Sequence, residues 1–375
     1  MEESASTEIS IRQVPSKRRY WFVRTFGGQL FEYYYDREKI GISGNTVPME
    51  YIKNAKYDSS TFSTLQSFIS KNIIEIQSEA TKLANQLVSF YHEMQIGDIV
   101  MIPSEDSDYI AFGEVVSDIK VEKSGAILIH NERKEPYPEK IRKVRWLKIM
   151  DKFDVVGDMR PLFSSHLGLT NADKYSDFIE SNISTFFLKD DHYFSTLYID
   201  LNNDQELNAF ELQRYLEALT KLYKNFCLEN GIEENEELYI KIKVQSPGSL
   251  ILKWSAIGIG ISFIGMIAMS VIGVDPQVKI KGNPKEGFEF SASVKGNFLN
   301  NIADSKKKEQ EIENQRVKDS LDIEDRKLDQ KIKRKQHGLL TAEEVELYKK
   351  QMVDSASRLK MSTVESKEVS LQDVN

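Results

Sequence analysis

The chain has 375 residues, 40% of them hydrophobic and 29% charged, with a formal net charge of −8. That balance fits globular protein of two to three domains and argues against a general nucleic-acid coat protein, although a local basic patch would not show in the sum. A single cysteine, Cys227, excludes internal disulfides and cysteine-rich zinc sites, and its place in a helical pattern makes it a small core residue.

Residues 1–18 are polar and read as a flexible N-terminus with no apolar stretch of the secretory-signal kind. From Arg19 a strand-like run, RYWFVRT, leads into Gly27-Gly28 and a helical stretch, QLFEYYYDREK, followed by the short strand KIGIS. Leu65 to Asn72 and Ala80 to Glu93 read as helices, the second with apolar residues at Leu83, Leu87 and Phe90 or Tyr91. The period then changes. GDIVMIP, DYIAFGEVV, AILIH and RKVRWLKIM are β-rich runs separated by polar turns, which predicts a small barrel with helical decoration over 19–190.

A second, α/β unit is predicted over 191–248, with FSTLYIDL as a strand and residues 207–228 as an amphipathic helix. The strand ELYIKIKVQ and a break at Ser246-Pro247-Gly248-Ser249 follow, the break serving as a helix cap. Trp254 to Val274 then runs for 21 residues without an ionisable side chain. As a helix it would be roughly 30 Å long, the thickness of bilayer hydrocarbon, so a membrane span is expected over 249–275. The alternative is a helix buried in a large core. Lysines flank both ends, so charge does not orient the segment. Gly258, Ser262 and Gly265 share a helical face, which suggests close packing between copies in the membrane. Gln277 to Val294 reads as two short strands within a 276–300 segment. A charged helix is expected over 301–355, where Val317, Leu321, Leu328, Ile332 and Leu339 make an 11-residue repeat suited to self-association. The tail, 356–375, reads as disordered. The expected class is α+β: a barrel module with helices, a relay unit, one transmembrane helix and a long C-terminal helix.

Chemistry-bearing motifs are few. Asp200, Asn202, Asp204, Asn208 and Glu211 match positions of an EF-hand loop, but Gln205 stands where that loop needs glycine, and a strand rather than a helix precedes it. A strand end and an acidic helix start account for them better. There is no P-loop, no dinucleotide-binding glycine turn and no G-x-S-x-G, and His92, His130, His166, His192 and His337 lack ligand spacing. The expectation is a non-enzyme with no cofactor and no metal.

Trp21 and Val23 with Arg24, Gly27 and Gly28 in WFVRTFGG begin a series of blocks. Ile40, Gly41 and Ile42 come next, then Gly97, Asp98, Val100 and Pro103, then Gly113, Glu114 and Val115, and last Arg142, Val144, Arg145 and Trp146. In order and spacing these blocks resemble the EVE and PUA-like β-barrel modules at the N-termini of prokaryotic restriction and defence proteins. The chain departs from that pattern at Ser43, where the family has tryptophan. The resemblance implies a pocket for a nucleotide or nucleic acid, sometimes a modified base. The residues fit such a role: Arg24, Arg142 and Arg145 offer phosphate contacts and Trp21 and Trp146 offer stacking, unless the tryptophans fill strand cores. Arg24 stands out because an arginine in an apolar strand needs a partner. Lys17, Arg18 and Arg19 read as a solvated cluster.

Together these readings resemble a membrane effector of an anti-phage system, placed at the cell inner membrane with its N-terminal module cytoplasmic. A nucleotide or single-stranded oligonucleotide would control a homo-oligomeric pore or membrane disruption, with a nucleotidyltransferase or nuclease as partner. A membrane-tethered modified-DNA reader that recruits a nuclease is the alternative.

Overall fold

A computed structural model describes residues 8–57, 59–130, 133–199, 207–229, 238–243, 248–255, 260–272, 276–283, 287–294 and 338–370. The chain folds as two compact units, neither continuous in sequence. Unit I comprises residues 17–183 and 367–375, and unit II comprises residues 1–16 and 184–366. The first strand, β1 (Glu8–Gln13), therefore belongs to unit II, although its residues read as loose in sequence.

Unit I begins with β2 (Tyr20–Val23), α1 (Phe31–Asp36) and β3 (Lys39–Ile42). Three helices follow: α2 (Met49–Asn54), α3 (Ser60–Asn72) and α4 (Gln77–Val88), the last widening into a π turn at Ser89–Glu93. Ala80, Ala84, Leu87 and Val88 form the buried stripe of α4, and the Ser59 side chain caps α3 by accepting from the Phe62 N–H. Next come β4 (Ile99–Pro103), β5 (Tyr109–Val115), β6 (Lys120–Val121), the hairpin β7 (Ile127–His130) and β8 (Arg133–Pro136), and the long β9 (Lys140–Asp151). The short α5 (Arg160–Phe163), β10 (Leu169–Asn171) and α6 (Ser176–Ile183) close the unit.

The strands pair in the order β10-β2-β4-β5-β9-β3, with β6 also on β9. Only β2 and β4 run parallel in this path. β10 and β3 end the path, so among the described residues the expected barrel is an open mixed sheet. Trp21, Val23, Val100, Ile102 and Ile149 from the strands pack with Ile52, Leu65, Leu87 and Val88 from the helices. The register of β5 against β9 shifts between Phe112 and Gly113. A Cβ at Gly113 would lie 2.4 Å from Val144 and 2.6 Å from Trp146, so only glycine lets β9 cross that closely.

Unit II adds β11 (Phe186–Lys189), β12 (His192–Ile199), α7 (Ala209–Glu229), β13 (Tyr239–Lys243) and β14 (Gly248–Ser255). It continues with α8 (Gly260–Ile272), β15 (Pro276–Asn283), β16 (Gly287–Val294), α9 (Ala342–Arg358) and β17 (Met361–Thr363). Its sheet has the order β13-β14-β12-β11-β1-β16-β15, and β17 also pairs with β12. One face, with Tyr193, Leu197, Leu250, Leu252 and Trp254, packs with α7, α8 and α9. Cys227 is buried in this core.

The expected membrane span is not formed. Trp254 and Ser255 end strand β14, where Trp254 pairs with Tyr193, and residues 256–259 and 273–275 lie outside the described residues. Helix α8 has 13 residues, about 20 Å at 1.5 Å per residue, well short of a bilayer. No helix among the described residues is long and apolar enough to cross a membrane. Its apolarity has another cause. Phe263, Ile264, Ile267, Ala268 and Met269 are all buried in the unit II core, and a helix enclosed on every side has no use for a polar stripe. Phe263 meets the Trp254 ring at 5.1 Å and the Tyr223 ring at 5.0 Å. The one polar group with its contacts described, the Ser270 hydroxyl, donates to the Ile267 carbonyl at 2.6 Å and lies 3.2 Å from the Tyr215 hydroxyl. Of the small-residue face, Gly258 lies outside the described residues, Ser262 is on α8, and Gly265 is buried. Gly248 and Ser249, expected to cap a helix, are strand residues paired with Ile199 and Tyr198.

Residues 295–337 also lie outside the described residues, and with them Val317, Leu321, Leu328 and Ile332. Leu339 precedes α9 rather than continuing a long helix into it. The Thr341 side chain accepts from the Glu344 N–H while Glu344 accepts from the Thr341 N–H, a capping box that starts a fresh helix. The tail, read as disordered, contributes β17 and further ordered residues up to 370. Of the EF-hand match, residues 200–206 lie outside the described residues. Asn208 caps α7 by accepting from the Phe210 and Glu211 N–H groups, and Glu211 is held by Arg358 at 2.7 Å and Ser355 at 3.0 Å.

Candidate functional site

The five residues expected to contact a ligand do not converge. Trp21 is 1% exposed, and its indole N–H donates to the Asp98 carboxylate at 2.9 Å. Asp98 also accepts from the Arg19 and Gln95 N–H groups, so the Gly97-Asp98 block fixes the start of β4 rather than meeting a ligand. Arg24 finds the partners an arginine in an apolar strand requires, donating to the carbonyls of Ser165 at 2.6 Å and Phe163 at 2.9 Å. Burial lowers its pKa. Arg142 is buried and spends its guanidinium on the carbonyls of Phe90, Tyr91 and Ser117, at 3.0, 3.1 and 3.0 Å. It closes the C-terminal end of the α4 π turn, where carbonyls lack helical partners. Arg18 pairs with Glu180 at 3.2 Å and Arg19 with Glu93 at 2.9 Å, so the basic run is tied down as well.

Arg145 and Trp146 are neighbours on β9 and point to opposite faces. The Arg145 side chain is 65% exposed and lies 3.4 Å from Glu114. Trp146 is half-buried and turns toward α1, donating from its indole N–H to the Tyr35 carbonyl at 3.0 Å. Its ring stacks on Tyr35 at 5.5 Å and 17°. Tyr35 in turn stacks on Phe31, one helical turn earlier, at 6.3 Å and 18°. Spacing of four residues on α1 aligns these two rings, and β9 supplies the third.

The Phe31 end of this ring ladder lines a cleft of about 410 Å³, within the size range of small-molecule sites. Two turns form it: Phe26–Glu32 leading into α1, and Ser104–Tyr109 joining β4 to β5. Both turns use left-handed backbone, at Phe26, Gly27 and Gly28 on one side and at Asp106 and Ser107 on the other. The turns touch at Gly28, where φ is +94° and a Cβ would stand 2.3 Å from the Glu105 nitrogen. Only glycine allows that approach. The Thr25 hydroxyl donates to the Pro103 carbonyl at 2.6 Å and fastens the two turns, and the buried Ser104 hydroxyl accepts from the Tyr109 N–H at 2.9 Å. Non-glycine residues held at positive φ are strained, and such strain gathers at functional sites.

The lining combines two aromatic side chains, the buried Phe31 and the half-buried Tyr109, with Gln29, Glu32, Glu105, Asp106 and Asp108. Asp108 is paired with Lys152. The lining thus accepts hydrogen bonds and carries negative charge, and none of the predicted arginines is among its residues. It suits the N–H edge and flat face of a heterocyclic base far better than a phosphate. Of the five expected contacts only Trp146 joins the ring ladder, and none lines the cleft; Phe31, Tyr35 and Tyr109 were not among the expected residues. The available signal was the FEYYYD run at helical spacing beside a Gly-Gly turn. No group of metal-ligating side chains occurs among the described residues.

The chain matches a domain of unknown function, DUF8426, over residues 35–159. That stretch begins at Tyr35 and includes the Ser104–Tyr109 turn and Trp146, but stops short of Gly28 and Phe31. No curated protein matches the chain.

Proposed function

We propose that unit I is a non-catalytic reader of a nucleobase, carried on a nucleotide or a single-stranded oligonucleotide, and that unit II responds to its ligand state. One observation carries the reading: a cleft of about 410 Å³ whose lining combines the half-buried ring of Tyr109 with the hydrogen-bond acceptors of Gln29, Glu32, Glu105, Asp106 and Asp108. Stacking supplies affinity for any base, and carboxylates and an amide select for its amino and imino donors. The block order similar to EVE and PUA-like modules of prokaryotic defence proteins supports the same direction, as does the strained pair of turns that builds the cleft. In a defence role, a partner enzyme such as a nucleotidyltransferase or nuclease would supply the ligand or act on the recognised strand, and the chain would work as a homo-oligomer.

The test is a titration of the purified full chain with nucleoside monophosphates and with single-stranded DNA containing cytosine or 5-methylcytosine. Micromolar binding is expected for at least one of these. Tyr109→Ala should weaken it by about 1–3 kcal/mol, the worth of one base–aromatic stack. Arg145→Ala, on the opposite face of β9 from Trp146, should leave it unchanged. Absence of binding, or loss in Arg145→Ala without loss in Tyr109→Ala, overturns this placement of the site.

A further inference from the structure

The cleft between the Phe26–Glu32 and Ser104–Tyr109 turns is chemically one-sided. Glu32, Glu105 and Asp106 line it, and none of their three carboxylates has a hydrogen-bond or ion-pair partner among the described residues. The Gly28–Glu105 approach brings the two sources together, Glu32 from the first turn of α1 and Glu105 and Asp106 from the turn joining β4 to β5. Donors of the same lining point into the protein. Gln29 donates from Nε2 to the Ile129 carbonyl on hairpin strand β7 at 2.8 Å, which spends the amide's donor end and leaves its oxygen. The Phe31 N–H donates to the Gly28 carbonyl at 2.8 Å, the Ser104 N–H to the Tyr109 carbonyl at 2.9 Å and the Asp108 N–H to the Glu105 carbonyl at 3.1 Å. The Tyr109 N–H goes to the Ser104 hydroxyl at 2.9 Å. These bonds close each turn on itself, so the groups left for a ligand beside the half-buried Tyr109 ring are chiefly acceptors.

Acceptors of this kind distinguish the common bases. Guanine alone sets two donors side by side on its Watson–Crick edge, the N1–H and an N2–H. One carboxylate accepts both at once, as it accepts the paired N–H groups of an arginine. Adenine and cytosine place a ring-nitrogen acceptor beside their amino group, and uracil and thymine flank a single N–H with two carbonyls. Against a carboxylate those acceptors meet negative charge. We propose that the cleft selects guanine, with a carboxylate from Glu32, Glu105 or Asp106 accepting from N1–H and N2–H while the base lies on the Tyr109 ring. This inference rests on the base-reading assignment above. The phosphate lies outward, away from a lining of its own sign.

The experiment titrates the intact chain with the monophosphates of guanosine, adenosine, cytidine, uridine and inosine, the last keeping N1–H but lacking the N2 amino group. Thymidine decamers carrying one central guanine or adenine are titrated in parallel. Guanosine monophosphate should bind roughly tenfold more tightly than the other three common nucleotides and roughly fivefold more tightly than the inosine nucleotide. The guanine decamer should outbind the adenine decamer by a similar factor. A triple variant, Glu32→Gln with Glu105→Gln and Asp106→Asn, keeps side-chain shape at three exposed positions, so the fold should hold. Stacking is sequence-tolerant, so this variant should bind all five nucleotides within about threefold of one another. Tyr109→Ala should weaken all five by a similar factor and keep the preference for guanine. Equal binding of the common nucleotides by the intact chain, preference for another base, or a guanine preference that survives in the triple variant overturns guanine selection and leaves the base-reading site in place. Absence of binding of every nucleotide and decamer by the intact chain overturns both assignments together.

Discussion

At the scale of single residues, two of the three arginines that looked most like ligand contacts, Arg24 and Arg142, hold backbone. Arg142 answers three carbonyls from a buried position, and removing it leaves those carbonyls unpaired. Arg142→Met should lower unit I stability by about 3–5 kcal/mol, each orphaned buried group costing about 1–3. Arg145→Ala, at an exposed position, should change it by less than about 0.5 kcal/mol. Urea denaturation of the two variants separates a structural arginine from a surface one. Lys140 is also buried, and its ammonium donates to the Gly44 and Asn45 carbonyls at 2.7 and 3.0 Å. Burial pushes its pKa down to about 8, below the ~10.4 of an unfolded lysine. Between those values the unfolded chain binds a proton that the folded chain does not, so stability should rise as pH climbs from about 8 to about 10. Lys140→Met should abolish that rise, which denaturation midpoints between pH 7 and 10 would show. At Gly28, alanine would combine a left-handed φ with a close approach to Glu105. Gly28→Ala should cost about 1–3 kcal/mol and disturb the cleft, read by denaturation and by loss of ligand binding.

At the scale of elements, α8 is the case where apolarity means enclosure. Phe263 touches Trp254, Tyr223 and Phe226 and is fully buried. Phe263→Ala should destabilise unit II by about 3–5 kcal/mol through lost burial and a residual cavity, measured by thermal or urea unfolding. The α7–α9 pair carries a charge clamp as well as an apolar seam. Glu211 on α7 accepts from Ser355 and Arg358 on α9, and the Arg358 contact holds its carboxyl below the usual glutamate range. A depressed carboxylate stabilises the fold above the unfolded pKa, near 4.3, and that contribution is lost as pH falls below it. Glu211→Gln should therefore be less stable than the native chain at pH 7, with the difference narrowing toward pH 3. The strands of unit I and the amphipathic α7 were legible in sequence because their apolar spacing repeats a single local geometry: period two for strands, about 3.6 for α7. The start of α9 at Ala342 was legible in principle from the T-x-x-E capping pattern at Thr341–Glu344, which outweighs the spacing of Leu339 with residues far upstream.

At the scale of the whole molecule, the division into units could not be read from the order of elements. β1 joins β11 and β16, which are distant in sequence, and residues 367–370 return to unit I after the whole of unit II. Such pairings depend on which edges remain open once local elements have formed, and composition carries no record of that. The sequence by itself determined an α+β chain without internal disulfides, the strand runs of unit I, the α7 stripe and the core role of Cys227. Each follows from periodicity or residue chemistry acting over a few neighbours. Only the tertiary structure decided that Trp254 and residues 263–270 of the apolar run pack against protein, since burial in lipid or in protein selects the same side chains. It also decided what the arginines hold: a guanidinium in a strand announces that it needs acceptors, and the fold supplied Arg24 and Arg142 with carbonyls that no spacing in the sequence reveals.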